Sequence, residues 1–506
     1  MSLRSSVWLA SSDTVGRPPL DGDLAVDVAV VGGGITGLTT ALTLQRRGLQ
    51  VAVVEADRVG AGTTGSTTGK VTSQHGLLYA QLIARHGRHR ARLYADANQS
   101  AIDVIDALVQ ETGADCGFER APAYVYTGDP ARVADIEAEH AAAADLGLPA
   151  TLTTDIDLPF PVAMALRFDD QAHVHPGRYL AALARAVVAR GGHLFEHTRA
   201  TGVVERRSHA LVRTTGGELR ADRVVLATLL PFVDLGGFFA KARPVRAYGI
   251  AARLEHPAPR GMHIGVDTPT RSTRPWDDDG RPGMIVVGES HRTGDGDAAP
   301  GRWGELERWT REHFPVESFA HRWSTQDFST VDGIPYVGRS PRSSRTLVAT
   351  GFAKWGLTNG TAAAAMLADL VAGETNPWIE AFDATRIGGA QALKQLVEQN
   401  VEVATRFVAD RAGRLRSGSL ADVAPGEGAV VRHGGRAVGA FRDADGGLHG
   451  VSITCTHMGC TLRWNAAETS WDCPCHGSRF STAGDVLDGP AVRPLGRVDL
   501  DPETET

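Results

Sequence analysis

Apolar and polar positions fall into blocks whose period changes at glycine. Asp27-Val28-Ala29-Val30-Val31 is a short apolar run rich in branched side chains, as in a buried strand, and it ends on Gly32-Gly33-Gly34-Ile35-Thr36-Gly37. Leu38, Leu42 and Leu49, with Ala41 between, mark a helical face up to the stop at Arg47-Gly48. Val51-Ala52-Val53-Val54 is a second strand, closed by Glu55. Further on, His175-Pro176-Gly177-Arg178-Tyr179 precedes an Ala/Leu/Val-rich helix ending at Gly191-Gly192, and a strand-rich stretch runs to Arg223-Val224-Val225-Leu226-Ala227-Thr228. Trp276-Asp277-Asp278-Asp279-Gly280 reads as an exposed turn. Asp332-Gly333-Ile334-Pro335-Tyr336-Val337-Gly338 leads to Ala349-Thr350-Gly351-Phe352. Ala353-Lys354-Trp355-Gly356-Leu357-Thr358-Asn359-Gly360 then opens an Ala-rich helix from Thr361 to Leu370. Leu393, Leu396, Val397, Val401, Val403, Ala404 and Phe407 predict a helix over Ala390–Arg411 that docks the C-terminal domain onto the rest of the chain. Beyond Pro425-Gly426-Glu427-Gly428, strands over Ala429–Arg432, Arg436–Arg442 and Leu448–Thr454 predict a small β domain.

The 506 residues exceed one ordinary domain, and 42% hydrophobic content with a net charge of −7 describes a globular chain. No basic stripe points to nucleic acid. The first 23 residues hold no secretory apolar run and no twin arginine, and no apolar run is long enough to span a membrane, so a cytoplasmic protein is expected. Four of the five cysteines lie between residues 455 and 475; in that compartment such clustering favours metal ligands over structural disulfides. Cys116 stands alone beside Phe118 and reads as a small buried hydrophobe.

The glycine fingerprint acquires meaning from its flanking strands and helix. Gly32 allows the tight turn, Gly34 lets backbone N–H groups approach a pyrophosphate, and Gly37 lets helix and strand pack closely. The helix N-terminus adds partial positive charge, and Glu55 stands where a ribose hydroxyl would be accepted. These features imply a dinucleotide site, and with no second such fingerprint there is no separate nicotinamide domain.

Candidate metal ligands come from two boxes. Cys455-Thr456-His457-Met458-Gly459-Cys460 and Cys473-Pro474-Cys475-His476-Gly477-Ser478-Arg479-Phe480 each offer a thiolate and an imidazole. Thiolates suit ferric iron and neutral imidazoles lower the charge on the other iron, although the same residue types also bind zinc. Two full boxes, the Gly-Ser tail and the later Gly484…Gly489-Pro490 favour iron–sulfur.

These boxes resemble the Rieske [2Fe–2S] family. The resemblance implies Cys455 and Cys473 on one iron, His457 and His476 on the other, a Cys460–Cys475 disulfide, and a Ser478 hydroxyl donating to a bridging sulfide. Phe480 stands where high-potential members carry Tyr, so one hydrogen bond is missing and a lower potential is expected. From about residue 25 to 385 the chain resembles flavoenzymes of the D-amino-acid oxidase, glycine oxidase and sarcosine oxidase type. The matching segments are the fingerprint, the loop Arg58–Lys70, the Thr228 return and the Lys354–Gly360 turn. The implied fold class is α/β, a Rossmann-like FAD-binding domain with an antiparallel β-sheet substrate domain, plus a C-terminal all-β Rieske domain. The FAD part is expected at about 25–80, 150–235 and 325–375, the substrate roof at 80–150 and 238–320, a helical linker at 386–418, and the Rieske domain at 419–506.

By the same resemblance the FAD contacts are Gly32, Gly34, Ile35, Thr36, Gly37, Glu55, Ala56, Thr67, Thr68, Gly69, Lys70, Thr228, Gly351, Phe352, Gly356, Leu357 and Thr358. No covalent tether is expected, since no Cys lies in Gly351–Gly360 and no His in Gly65–Lys70. Candidate substrate-side residues are Trp355, Lys354, Tyr248, His263, Arg271 and Arg274, with either arginine a bidentate clamp for a carboxylate; His173 and His175 read as fold residues. The implied function is an amine or amino-acid dehydrogenase passing electrons from FAD through the cluster to an external acceptor, a protein or a quinone. The alternative is a flavin/Rieske relay between protein partners. A Rieske oxygenase is not expected, because only residues 477–506 follow His476, too few for a mononuclear iron domain.

Overall fold

A computed structural model describes residues 5–13, 15–294, 301–386 and 418–500. The expected helix over Ala390–Arg411 and nearly all of the linker fall outside them.

Leu24–Val31 lies at the centre of an eight-stranded sheet, parallel to Val51–Val54 on one side (Val28 opposite Val51) and to Glu218–Leu226 on the other (Ala29 opposite Val224). His193–Phe195 and Thr346–Thr350 extend the parallel set outward. Val51–Val54 is buried at every residue, as expected for a strand covered on both faces. One cover is the helix Ile35–Gln45, with nine of eleven residues buried; it is enclosed nearly all round rather than along one stripe. It crosses the helix Gly356–Ala372 at Gly360, where a Cβ would sit 2.6 Å from Thr36 Oγ1.

A second eight-stranded sheet roofs the first. Its longest pairing joins Ala242–Leu254 to Val316–Thr330, and it is antiparallel except where Met262–Gly265 runs parallel to Ala123–Thr127. The division of the chain between the two sheets differs from the expected one. Ala150–Thr153 and Met164–Phe168 belong to the roof, and the roof runs on to Thr330, because Ala150–Thr153 pairs with Met164–Phe168, Met164–Phe168 with Ala123–Thr127, and Val316–Thr330 with Ala242–Leu254. The expected turn is a hairpin bend at Asp279 and Gly280, both with positive φ. Trp276 is not exposed with it: strand alternation turns its ring inward against Ile285 and Trp323. Cys116 is fully buried.

A short N-terminal helix, Val7–Ala10, packs Trp8 among the roof residues Ala251, Trp276, Ile285 and Trp323, and its indole donates to Thr67 O at 2.6 Å. The C-terminal domain is two four-stranded sheets, one built from Gly428–His433, Arg436–Arg442, Leu448–Ser452 and Arg497–Val498, the other carrying the second Cys-His box.

Candidate functional site: a cluster box docked on a nucleotide cleft

The two Cys-His loops share one backbone plan. Cys455 N donates to Cys460 O (2.8 Å) and Gly459 N to Cys455 O (3.0 Å); five and four residues apart in the same way, Cys473 N donates to Ser478 O (2.8 Å) and Gly477 N to Cys473 O (3.1 Å). Gly459 and Gly477 both have φ of +76°, which only glycine adopts without strain, so each loop folds back over its cysteine. Cys460 and Cys475 are disulfide-bonded, tying the loops together, while Cys455 and Cys473 are free and buried. The His457 and His476 rings stand 5.2 Å apart edge to face. Both Nδ1 atoms are buried with no hydrogen-bond partner, an arrangement that would be costly unless those nitrogens bind metal. Burial, aided by His457 and Arg292, holds His476 down to about 3, the neutral form a metal needs. Two free thiols and two orphaned imidazole nitrogens in linked loops fit a Rieske [2Fe–2S] cluster. Ser478 is fully buried, its Oγ accepting from Ala491 N at 3.0 Å.

A cleft of about 330 Å³ lies between the two large sheets. Gly32, Gly34, Ile35, Thr36, Glu55, Ala56, Thr67, Thr68, Lys70, Thr228, Phe352, Gly356 and Leu357 line it, as do Lys354 and Trp355. Gly32 has φ of +111°, and a Cβ there would meet Ala227 O at 2.4 Å. Glu55 accepts from Gly33 N (2.7 Å) and Asp57 N (3.0 Å), which fixes its carboxylate at the rim. The helices Ile35–Gln45 and Gly356–Ala372 both start at the cleft with no N-cap side-chain bond and no acidic first-turn residue; Thr64 Oγ1 takes Ile35 N at 3.3 Å, and both dipole ends face the cleft for an anionic ligand. These features fit the pyrophosphate and ring of FAD.

Four expected contacts stand behind the lining. Gly37 lies against Gly32 O, Gly69 under Val174 O, and Gly351 against Thr330, while Thr358 Oγ1 donates to Thr72 O at 3.0 Å. Four substrate-side candidates are also absent from the lining. Tyr248 is buried against His291 and Trp303, and His263 stacks on Tyr124. Neither arginine forms the expected clamp. Arg271 is paired with Glu289 at 2.5 Å; Arg274 donates to Thr68 O (2.6 Å) and Val174 O (3.1 Å) and lies over the Trp8 ring. Buried guanidinium groups need acceptors, and neighbouring carbonyls and a carboxylate supply them. His175 caps its helix by accepting from Arg178 N, as a fold residue should, and His173 is buried.

Sequence reasoning missed other lining residues. Asp327 takes Phe328 N (2.7 Å) and Lys354 N (2.5 Å), and burial pushes its carboxyl up to about 6. Its partners hold a turn in which Ala353 and Lys354 both have positive φ, and Lys354 Nζ reaches Ser290 Oγ at 2.5 Å. Burial lowers the Lys354 ammonium. The largest omission is Leu487–Val492 of the C-terminal domain, which forms part of the cleft wall. On the cluster side, Phe239 of the flavin domain packs against His476 and His457, at 5.0 and 6.1 Å between ring centroids.

Fold and site together define a flavin-binding oxidoreductase with an iron–sulfur domain seated on it. The FAD dependent oxidoreductase family model matches residues 27–370, and the chain belongs to that family; the Rieske [2Fe-2S] domain model matches residues 415–499. A relative described as putative Rieske 2Fe-2S iron-sulfur protein YhfW, from Bacillus subtilis, is 39% identical over 98% of this chain and 97% of its own. Among solved structures, glycine oxidase from Geobacillus kaustophilus superimposes with a TM-score of 0.62 at 22% identity, covering 72% of this chain and all of its own. L-proline dehydrogenase from P. horikoshii gives 0.58 at 20%, covering 73% and 98%. Both establish the fold. FAD and a Rieske cluster are the cofactors, and no described helix is long and apolar enough to cross a membrane.

Proposed function

We propose that this chain is an amine or amino-acid dehydrogenase that delivers substrate electrons, through FAD and then the Rieske cluster, to an external protein or quinone. The observation that carries the reading is the shared wall: Leu487–Val492 lines the flavin cleft, and within it Ala491 N holds Ser478 of the second cluster loop. When bound, FAD would supply acceptance of a hydride from the carbon bearing the substrate nitrogen, and the cluster would supply one-electron conduction onward. The chain's own residues supply the rest. The uncapped N-terminus at Gly356–Leu357 favours negative charge on the reduced ring. In this reading Asp327 accepts the proton of a substrate ammonium, and Lys354, which lines the same cleft, pairs with a substrate carboxylate. The relatives titled glycine oxidase and L-proline dehydrogenase support C–N donors.

Anaerobic mixing with a panel of amines and amino acids tests this. Flavin bleaching and then the EPR signal of a reduced Rieske centre are expected. Bleaching by a reductase protein and by none of the small molecules would replace this reading with the relay.

A further inference from the structure

The C-terminal domain is keyed into the flavin domain. Arg246, on the roof strand Ala242–Leu254, is 1% exposed, and its acidic partners among the described residues both belong to the other domain: Glu468 at 2.5 Å and Asp488 at 3.8 Å. Glu468 is shared with Arg479 at 2.6 Å, which also holds Asp472 and Asp488. Three further contacts cross at separate points. Gln326 Nε2, oriented by Thr293, donates to Gly477 O at 2.8 Å; Arg463 donates to Gly294 O at 2.9 Å; Arg199 donates to Val486 O at 3.1 Å. The packing between these contacts is close. Ala467 is buried in the roof core with Tyr248, Trp303 and Leu306, and a Cβ on Gly294 would come within 2.6 Å of Pro474.

Buried ion pairs add little net stability, but they penalise every pose in which one partner is left dry and unpaired. Hydrogen bonds on four separate segments, with directional geometry, are satisfied together in one register. We propose that Arg246 is a positioning residue. With Glu468 and Asp488 it holds the Rieske domain in a single pose, so that electrons pass from flavin to cluster within one chain and without a domain swing. Each transfer removes one electron from reduced FAD and converts one ferric ion of the cluster to ferrous; the external acceptor reoxidises it before the second. The inference rests on flavin–cluster electron exchange and not on the amine substrate.

The test therefore reduces FAD in the intact holoenzyme with light and a sacrificial donor, and monitors cluster reduction. In the wild type the rate should not change as glycerol raises viscosity. Arg246→Met should slow it at least about tenfold, with cofactor content and both reduction potentials unchanged, by depopulating the competent pose. Arg246→Lys should recover part of the loss. Ala467→Trp, a steric wedge beside Glu468 that leaves every charge in place, should slow it likewise and decides the matter if Arg246→Met does not fold. A wild-type rate that falls with viscosity, or variants that keep both cofactors and transfer at the wild-type rate, would overturn the proposal. If no amine bleaches the flavin but photoreduction still gives these results, the substrate reading fails and the fixed pose stands.

Discussion

Gly37→Ala is the most direct probe of how the fingerprint holds its cofactor. A Cβ at position 37 would lie 1.9 Å from Gly32 O and 3.3 Å from Val30 Cγ1. Bringing the first contact even to 3.0 Å requires the helix Ile35–Gln45 to retreat by roughly an ångström, and the Gly32 carbonyl is backbone, unable to rotate away as a side chain would. Movement of the helix is also restricted by the helix Gly356–Ala372, which packs closely on Ile35 and Thr36 at Gly360. The clash is therefore taken up as strain near the top of the usual overpacking range, about 3 kcal/mol. For a domain matched over residues 27–370 that corresponds to a fall of roughly 4 °C in the thermal midpoint. The same movement carries Gly32–Gly34 out of register with the phosphate, so flavin should be lost on gel filtration. Absorbance of retained flavin and a circular-dichroism melt are the assays. Gly304→Ala is the control: it lies in the helix Gly301–His313 with nothing within 4 Å of the added Cβ, and should gain up to about 1 kcal/mol. Full flavin retention and an unchanged midpoint in Gly37→Ala would refute the close-packing argument.

The cluster domain gives two further expected outcomes. Burial raises the Glu468 carboxyl, but Arg246 and Arg479 outweigh it and hold it at about 2, below the ordinary 4.5. Its contribution is therefore complete above the ordinary value and is lost as pH falls toward about 2; Glu468→Gln should melt earlier than wild type at neutral pH and decline less steeply on acidification, and parallel pH profiles would contradict this. Phe480, fully buried in the cluster-domain core, lacks the hydroxyl expected of a high-potential centre; Phe480→Tyr should raise the cluster's reduction potential in a redox titration monitored by EPR, and no rise would show that the hydroxyl does not reach the cluster.

The sequence alone carried both cofactor sites, because each is local. The cluster ligands sit in two loops fixed by turns of a few residues, and the fingerprint is one strand–turn–helix unit; the chemistry there comes from residue type at short spacing. Side-chain direction on the roof was not legible. Ser272 lines the cleft, whereas Arg274, two residues on and on the same strand face, is drawn instead to the Thr68 and Val174 carbonyls, contacts 206 and 100 residues away along the chain. Asp327 meets Lys354 only after a strand, a loop and a sheet crossing, and Trp8 meets Thr67 from a segment with no pattern of its own. The placement of the Rieske domain against the cleft was decided wholly by tertiary structure. Arg246 and Glu468 are 222 residues apart, and nothing in either neighbourhood names the other, because the pairing is set by how two separately folded surfaces fit.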